Sequence, residues 1–352
     1  MKFEKKSDKD FQKDFINIIS LSKKDNPYKF AFARFLIEYS SENSENHVEF
    51  KIIAKYFFKY FWPQVCKSKI KHNAYGNKKP VDVVDIIENV FGTTYHPGKF
   101  NDILDKEPKK VEKCYKEIEK KCFEIVTWAF QNIREGNKIE DVSPEFFEYK
   151  IKKKKRRKDH GGYRIWIDRE YGINLNPHAM DFFVRYNVPL LKSTTLEWAK
   201  FLEKLNPAFP ALIQKTEGEI VQRTPLLKYR KELIEYGFEN CFYCNNLLNP
   251  GRETQVEHVI PFAYIAEDEM WNFVLACNDC NGKKLGSLPP EKFVNNLIER
   301  NREYGEKIPL LKKSLMKLEK DFEKTIDDHI TNAKSHGFTV LKNDIKYTGY
   351  DF

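Results

Sequence analysis

The sequence predicts a mainly α-helical protein that carries a small α+β module in its C-terminal part. Three observations point there. Aromatic and aliphatic residues recur at helical spacing through the first 150 residues. A short alternation follows, Tyr163, Ile165 and Ile167 against Arg164, Trp166 and Asp168. Two C-x-x-C pairs, Cys241/Cys244 and Cys277/Cys280, then flank a loop. The 352 residues leave room for two or three domains at roughly 100–200 residues each. At 41% hydrophobic and 14% aromatic, the chain can fill ordinary cores, which excludes disorder along its whole length.

Phe11, Phe15 and Ile18 mark a first helix, which Asn26-Pro27 ends. Phe32, Phe35 and Leu36 lie on a second, ending near Tyr39. A third runs from about Glu49 to Trp62 with Ile53, Tyr56, Phe57 and Tyr60 on it, and Pro63 stops it. Lys67 to Pro80 reads as a loop, a further helix follows from Val81, and a long charged helix is expected from about Pro108 to Ile133. The aromatic stripes read as core. Residues 1–150 thus form a helical N-terminal domain, a candidate for nucleic-acid targeting. Residues 151–162 form a basic connector and 163–235 an intermediate segment, with a short strand at Tyr163–Asp168 and a helix over Leu196–Leu205. Residues 236–352 form the last domain, closed by an amphipathic helix carrying Leu311, Leu315, Leu318, Phe322 and Ile326.

Lysine and arginine exceed aspartate and glutamate by 61 − 52 = +9, and the run Lys152, Lys153, Lys154, Lys155, Arg156, Arg157, Lys158 supplies +7 of it. The basic character therefore has an address, and it suggests a polyanion partner. A solvated linker is the competing reading of such a run. No apolar stretch of about 18 residues exists to span a bilayer, and the N-terminus lacks an apolar signal region. A cytoplasmic protein is expected.

In such a protein the two C-x-x-C pairs argue for metal rather than disulfides. Cys241, Cys244, Cys277 and Cys280 suit a tetrahedral structural Zn²⁺, closed to catalysis because four thiolates leave no open position. Cys66, Cys114 and Cys122 read as small buried hydrophobes. His47, His72, His96, His160, His178, His329 and His336 show no ligand spacing, and Gly161-Gly162 reads as a turn.

Between the cysteine pairs lie Glu257-His258, then Pro261 and Asn272, and Asn281 directly follows the last cysteine. In this order and setting the segment resembles the HNH endonuclease module, over about residues 241–290. The resemblance implies a ββα-metal fold with structural zinc. It also assigns roles: Glu257 and Asn281 would hold a catalytic Mg²⁺ or Mn²⁺, His258 would be the general base, and Asn272 would orient the His258 loop. Asn281 stands where the family name has its final His, making an H-N-N variant similar to that of RNA-guided CRISPR effector nucleases. Glu257 stands where Asp is commoner.

The residue chemistry agrees. An unperturbed imidazole titrates at about 6.5, so His258 can act as a base at cellular pH. One carboxylate and one amide leave most of an octahedral Mg²⁺ open for phosphate oxygens and water. Lys283 and Lys284, within a turn of Asn281, are candidates for phosphate contact. From Cys241 to Pro290 three basic residues face six acidic ones, a net of −3. Phosphate affinity is therefore expected from the Lys152–Lys158 tract and the helical domain.

These features favour a metal-dependent DNA endonuclease. By resemblance it would serve restriction or anti-phage defence, as a homodimer or with a defence-system partner subunit. RNA cleavage is a second reading. A catalytically silent, zinc-containing nucleic-acid-binding subunit is a third, from a different class.

Overall fold

The computed structural model describes residues 3, 6–22, 24, 26–72, 81–92, 100–131, 133–135, 138–140, 146–156, 163–217, 226–249, 254–318 and 321–341. They are mainly helical, with a few small sheets. None of the helices is long and apolar enough to cross a membrane. The chain divides into two compact units. The first comprises Met1–Cys66, Ile70–Pro207 and Thr216–Gly218, the second Lys67–Lys69, Ala208–Lys215 and Glu219–Phe352.

In the first unit, helices α1 (Asp8–Ile16), α2 (Tyr28–Glu42) and α3 (Phe50–Trp62) follow one another, with strand β1 (His47–Val48) before α3. Next come α4 (Asp82–Phe91), α5 (Phe100–Lys106), α6 (Pro108–Lys121) and α7 (Phe123–Phe130). Strands β2 (Ile133–Glu135), β3 (Lys138–Glu140), β4 (Phe147–Tyr149), β5 (Ile151–Arg156), β6 (Tyr163–Ile167) and β7 (Ile173–Leu175) lead to α8 (Pro177–Arg185) and α9 (Asn187–Glu203). The aromatic stripes meet in the interior: Phe32 lies 5.2 Å, centroid to centroid, from both Phe130 and Phe147, and Phe57 lies 5.0 Å from Phe123. Buried Gln131 fixes β4 to this core. Its Oε1 accepts from the Phe146 and Phe147 amides and its Nε2 donates to the Phe147 carbonyl. Cys66, Cys114 and Cys122 are buried, and burial pushes the thiols of Cys114 and Cys122 up to about 12.

Three expectations for this first unit need correction. The long helix expected over 108–133 is two, α6 and α7, divided at Cys122, and Ile133 already belongs to a strand. The apolar stripe runs on across the division, so periodicity did not reveal it. The helix expected from Leu196 begins earlier, at Asn187, and accommodates Pro189 in its first turn, where a missing N–H costs nothing. The basic tract, expected as a connector, is strand β5 from Ile151 to Arg156. It pairs antiparallel with β6, Lys153 opposite Trp166 and Lys155 opposite Arg164. This ribbon prolongs a longer hairpin: β4 leads into β5, and β6 returns to β7, which pairs with β4 and β1 in a three-stranded sheet. Gly172 makes that return possible. Its φ is +70°, and a Cβ there would sit 2.3 Å from the Val48 carbonyl oxygen. Arg157, Lys158, His160 and Gly161-Gly162 lie outside the described residues, as do His96 and most of the loop expected before Val81.

The second unit holds most of α10 (Leu212–Glu217), then α11 (Leu227–Glu235), β8 (Thr254–His258), α12 (Phe262–Ile265), β9 (Phe273–Cys277) and α13 (Asn278–Lys284). Helices α14 (Glu291–Tyr304), α15 (Pro309–Leu315) and α16 (Phe322–Ser335) complete it. The single C-terminal helix expected from Leu311 to Ile326 is thus two. Asp321 caps the second, its carboxylate accepting from the Lys324 amide at 3.0 Å, and this cap lies within the apolar stripe.

Candidate active site

Strands β8 and β9 form an antiparallel hairpin in the register Thr254↔Cys277 to His258↔Phe273, and α13 follows at once and packs on both. The α13 start is built by the second cysteine pair: Cys277 is the N-cap, its sulfur accepting from the Cys280 amide. The first pair forms a turn in which the Asn245 amide donates to the Cys241 carbonyl at 2.8 Å and Asn245 adopts a left-handed φ of 60°. The Cys277 amide donates to the Cys241 sulfur, so the two turns are laced together.

This brings the four sulfurs within 4.8 Å of one another, with Cys244 and Cys277 at 3.9 Å. A tetrahedral zinc with bonds of about 2.3 Å separates its sulfurs by about 3.8 Å, so the cluster could hold that ion. Burial pushes the Cys241 thiol up to about 11 and raises that of Cys280, desolvation being the chief cause in each. Cys277 moves the other way: burial would raise its thiol, but hydrogen bonds from the Cys280 amide and the neighbouring cysteines lower it overall.

Glu257 and His258 are consecutive on β8 and therefore face opposite sides of the hairpin. Glu257 turns towards α13. There the ammonium of fully buried Lys284 donates to its Oε1 at 2.7 Å and to the His258 carbonyl at 2.8 Å. Lys284 was expected to touch phosphate; instead its charge is spent inside, because the helix that carries it lies against β8. Desolvation lowers the Lys284 ammonium, and attraction to Glu257 opposes that shift. Lys283, by contrast, is exposed and pairs with Asp279 at 2.7 Å. Asn281 stands one turn before Lys284, on the face of α13 that Lys284 directs at Glu257.

The His258 ring lies between Phe262 and Phe273, centroids 5.1 and 4.6 Å away, and its Nε2 is 3.1 Å from the Asp268 carboxylate. Both side chains are about 7% exposed. Asp268 is held in turn, its carbonyl accepting from the Tyr229 hydroxyl at 3.0 Å. Sequence reasoning did not single out Asp268, ten residues beyond the histidine in an acidic loop with Glu267 and Glu269. Burial, then the charge of Glu269, raises the Glu267 carboxyl.

Asn272 is fully buried. Its Oδ1 accepts from the Ile260 amide at 2.8 Å and its Nδ2 donates to the Ile260 carbonyl at 2.9 Å, while its own carbonyl accepts from the Val259 amide. The loop leaving His258 is thereby pinned. The turn that presents Asn272 is itself anchored at Trp271. Its carbonyl accepts from Arg300 at 3.1 Å and Asn301 at 3.0 Å, and its amide donates to the Ser314 hydroxyl.

Of the basic tract, Lys152, Lys153 and Lys155 are exposed, and the Lys153 ammonium lies 5.5 Å from the centroid of the Trp166 ring. For Lys154 and Arg156 only the strand backbone is described.

A hairpin and a helix meet at a cysteine quartet that could hold a metal ion, with a buried histidine–carboxylate pair at the hairpin end. Residues 241–290 match the family described as HNH endonuclease, so this segment is similar to nucleases of the HNH type. No curated protein and no solved structure matches the chain.

Proposed function

We propose that the protein is a metal-dependent endonuclease that hydrolyses phosphodiester bonds in DNA. The observation that carries this reading is the match of residues 241–290 to the HNH endonuclease family, a range that contains Glu257, His258, Asn272 and Asn281 in the order the family resemblance requires. His258 is the general base. Its Nε2 is engaged by Asp268, which fixes the orientation of the ring. Nδ1 is then the nitrogen that accepts the proton of the attacking water. Asn272 holds the backbone beyond His258 so that the ring keeps its orientation.

Glu257 and Asn281 supply a carboxylate oxygen and an amide oxygen, a hard donor pair suited to Mg²⁺ or Mn²⁺. When bound, that ion supplies Lewis-acid stabilisation of charge on the departing 3′ oxygen. Lys284 pins one oxygen of Glu257 and leaves the other for the ion. Zinc on Cys241, Cys244, Cys277 and Cys280 fixes the hairpin to α13 and takes no part in the reaction. Lys283 and the Lys152–Lys158 tract supply phosphate contacts, and restriction or anti-phage defence is the setting the resemblance suggests.

The test is supercoiled plasmid incubated with Mg²⁺ and either the wild-type protein or His258→Ala. Nicked or linear product with the first and none with the second is expected. An intact plasmid with wild-type protein in both Mg²⁺ and Mn²⁺ overturns the proposal.

A further inference from the structure

The ribbon of β5 and β6 concentrates positive charge. Its eleven residues include Lys152, Lys153, Lys154, Lys155, Arg156 and Arg164 and no acidic residue. Like charges stand directly opposite, Lys155 against Arg164, an arrangement that destabilises a strand pair unless something else neutralises it. Among the described residues, no carboxylate lies within ion-pairing distance of Lys152, Lys153 or Lys155, and all three are exposed. From Lys153 onward the backbone register assigns Lys153 and Lys155 to positions of one face and Lys154 and Arg156 to positions of the other, so cationic positions fall on both faces of β5. The base, in contrast, is apolar and fixed: Ile167 is 3% exposed, and Phe147, Ile173 and Leu175 of the sheet from which the ribbon grows are at most 1% exposed. A register shift between Ile151 and Lys153 adds local twist.

We infer that this ribbon is a docking element for B-form duplex DNA that enters the major groove, with phosphates on both walls meeting the cations of its two faces. Dimensions and charge argue for that occupant together. Strands of this length extend about 17–20 Å. A two-stranded ribbon fits the B-form major groove, about 12 Å wide. The deep, narrow major groove of A-form RNA does not admit it. A single strand offers no second wall for the opposite face. The inference builds on the nuclease reading only by naming the duplex as its substrate.

The experiment is a binding titration of the full-length His258→Ala protein, which does not cut, against a 20-base-pair DNA duplex (roughly two helical turns), the same duplex in RNA, and single-stranded DNA, at several salt concentrations. Tightest binding to duplex DNA is expected. Adding Lys152→Gln, Lys153→Gln and Lys155→Gln together should lower the slope of log K against log salt by about 2.7, at roughly 0.9 for each contact. The corresponding triple arginine variant should keep the slope, which separates lost charge from lost fold. Glucosylated 5-hydroxymethylcytosine, which fills the major groove, should weaken binding at least tenfold, and netropsin in the minor groove should not. Equal affinity for duplex RNA or single strands, an unchanged slope, or indifference to the glucosyl groups would overturn the inference. Failure of the nuclease reading shows elsewhere, as uncut plasmid with wild-type protein, and leaves these binding results standing.

Discussion

Replacing Lys284 by Met removes one charge from a site that water barely reaches and keeps nearly the same volume. The pair it breaks has its ammonium fully buried and its carboxylate 12% exposed, with 2.7 Å between them. At an effective dielectric of 20, that separation corresponds to a gross attraction of about 6 kcal/mol. Losing one partner of a buried pair costs about 3–5 kcal/mol, because the remaining charge is stranded. The residual hydration of Glu257 places Lys284→Met near the lower end, about 3 kcal/mol. Urea unfolding of the second unit, compared with wild type, measures it. Two companion measurements bear on the cause. Glu257→Gln combined with Lys284→Met should be more stable than Lys284→Met alone, since no stranded charge is left. Mg²⁺ should also stabilise Lys284→Met more than it stabilises wild type, a ligand at 100 times its Kd being worth about 2.7 kcal/mol. A loss below 1 kcal/mol, or a double variant whose loss is the sum of the singles, would refute the reasoning.

Four other outcomes are expected. His258→Ala should lower the cleavage rate on the order of 10²–10⁴-fold with nucleic-acid affinity retained, as read by plasmid nicking beside a filter-binding assay. Asp268→Ala should reduce kcat at least tenfold with KM little changed, because the side chain acts through His258 and not on substrate; a change confined to KM would contradict that role. Cys244→Ser and Cys277→Ser should each release zinc and melt the second unit, so metal analysis and thermal unfolding should change together. His72 is buried, its ring 5.3 Å from that of Phe61, and burial pushes its imidazole down to about 3. Its unfolded form gains a proton as pH falls below about 6.5 while the folded form does not, so stability present at neutral pH drains away between about 6.5 and 3. At pH 4.5 the loss from this residue is about 3 kcal/mol, and His72→Leu should remove that part of the pH dependence in urea melts.

What the sequence made legible is what local periodicity and spacing control. Phe11 and Phe15, or Phe32 and Leu36, share a helix face by arithmetic alone, and both pairs are buried. Cysteines at two fixed spacings converge because each C-x-x-C turn has few ways to fold, and the four sulfurs do come together. The breaks at Cys122 and Asp321 escaped notice because the apolar stripe crosses both without interruption. The strand at Ile151–Arg156 did too, because consecutive like charges carry no alternation. It is held by pairing to Tyr163–Ile167, and only that second strand has a readable pattern. Lys284 and Asp268 were misread or missed for one reason: what each does depends on a partner far along the chain. A lysine one turn past Asn281 reads as a surface cation until β8 is known to lie against its helix. An aspartate in an acidic loop gains meaning only 3.1 Å from His258.

The anchoring of Trp271 by Arg300, Asn301 and Ser314 bears on how far the structural unit around the matched segment extends. The segment with family resemblance ends at residue 290, yet the turn that positions Asn272, and through it the loop after His258, is fastened from α14 and α15. Residues 241–290 are therefore not a self-contained cassette. Moved into another scaffold, they would carry the reactive side chains and leave the clamp behind. In a lineage built this way, the helices after the motif cannot drift freely: a change at Asn301 or Ser314 has to be answered at the Trp271 turn. Chemistry and its support would be inherited together, across a stretch longer than the motif itself.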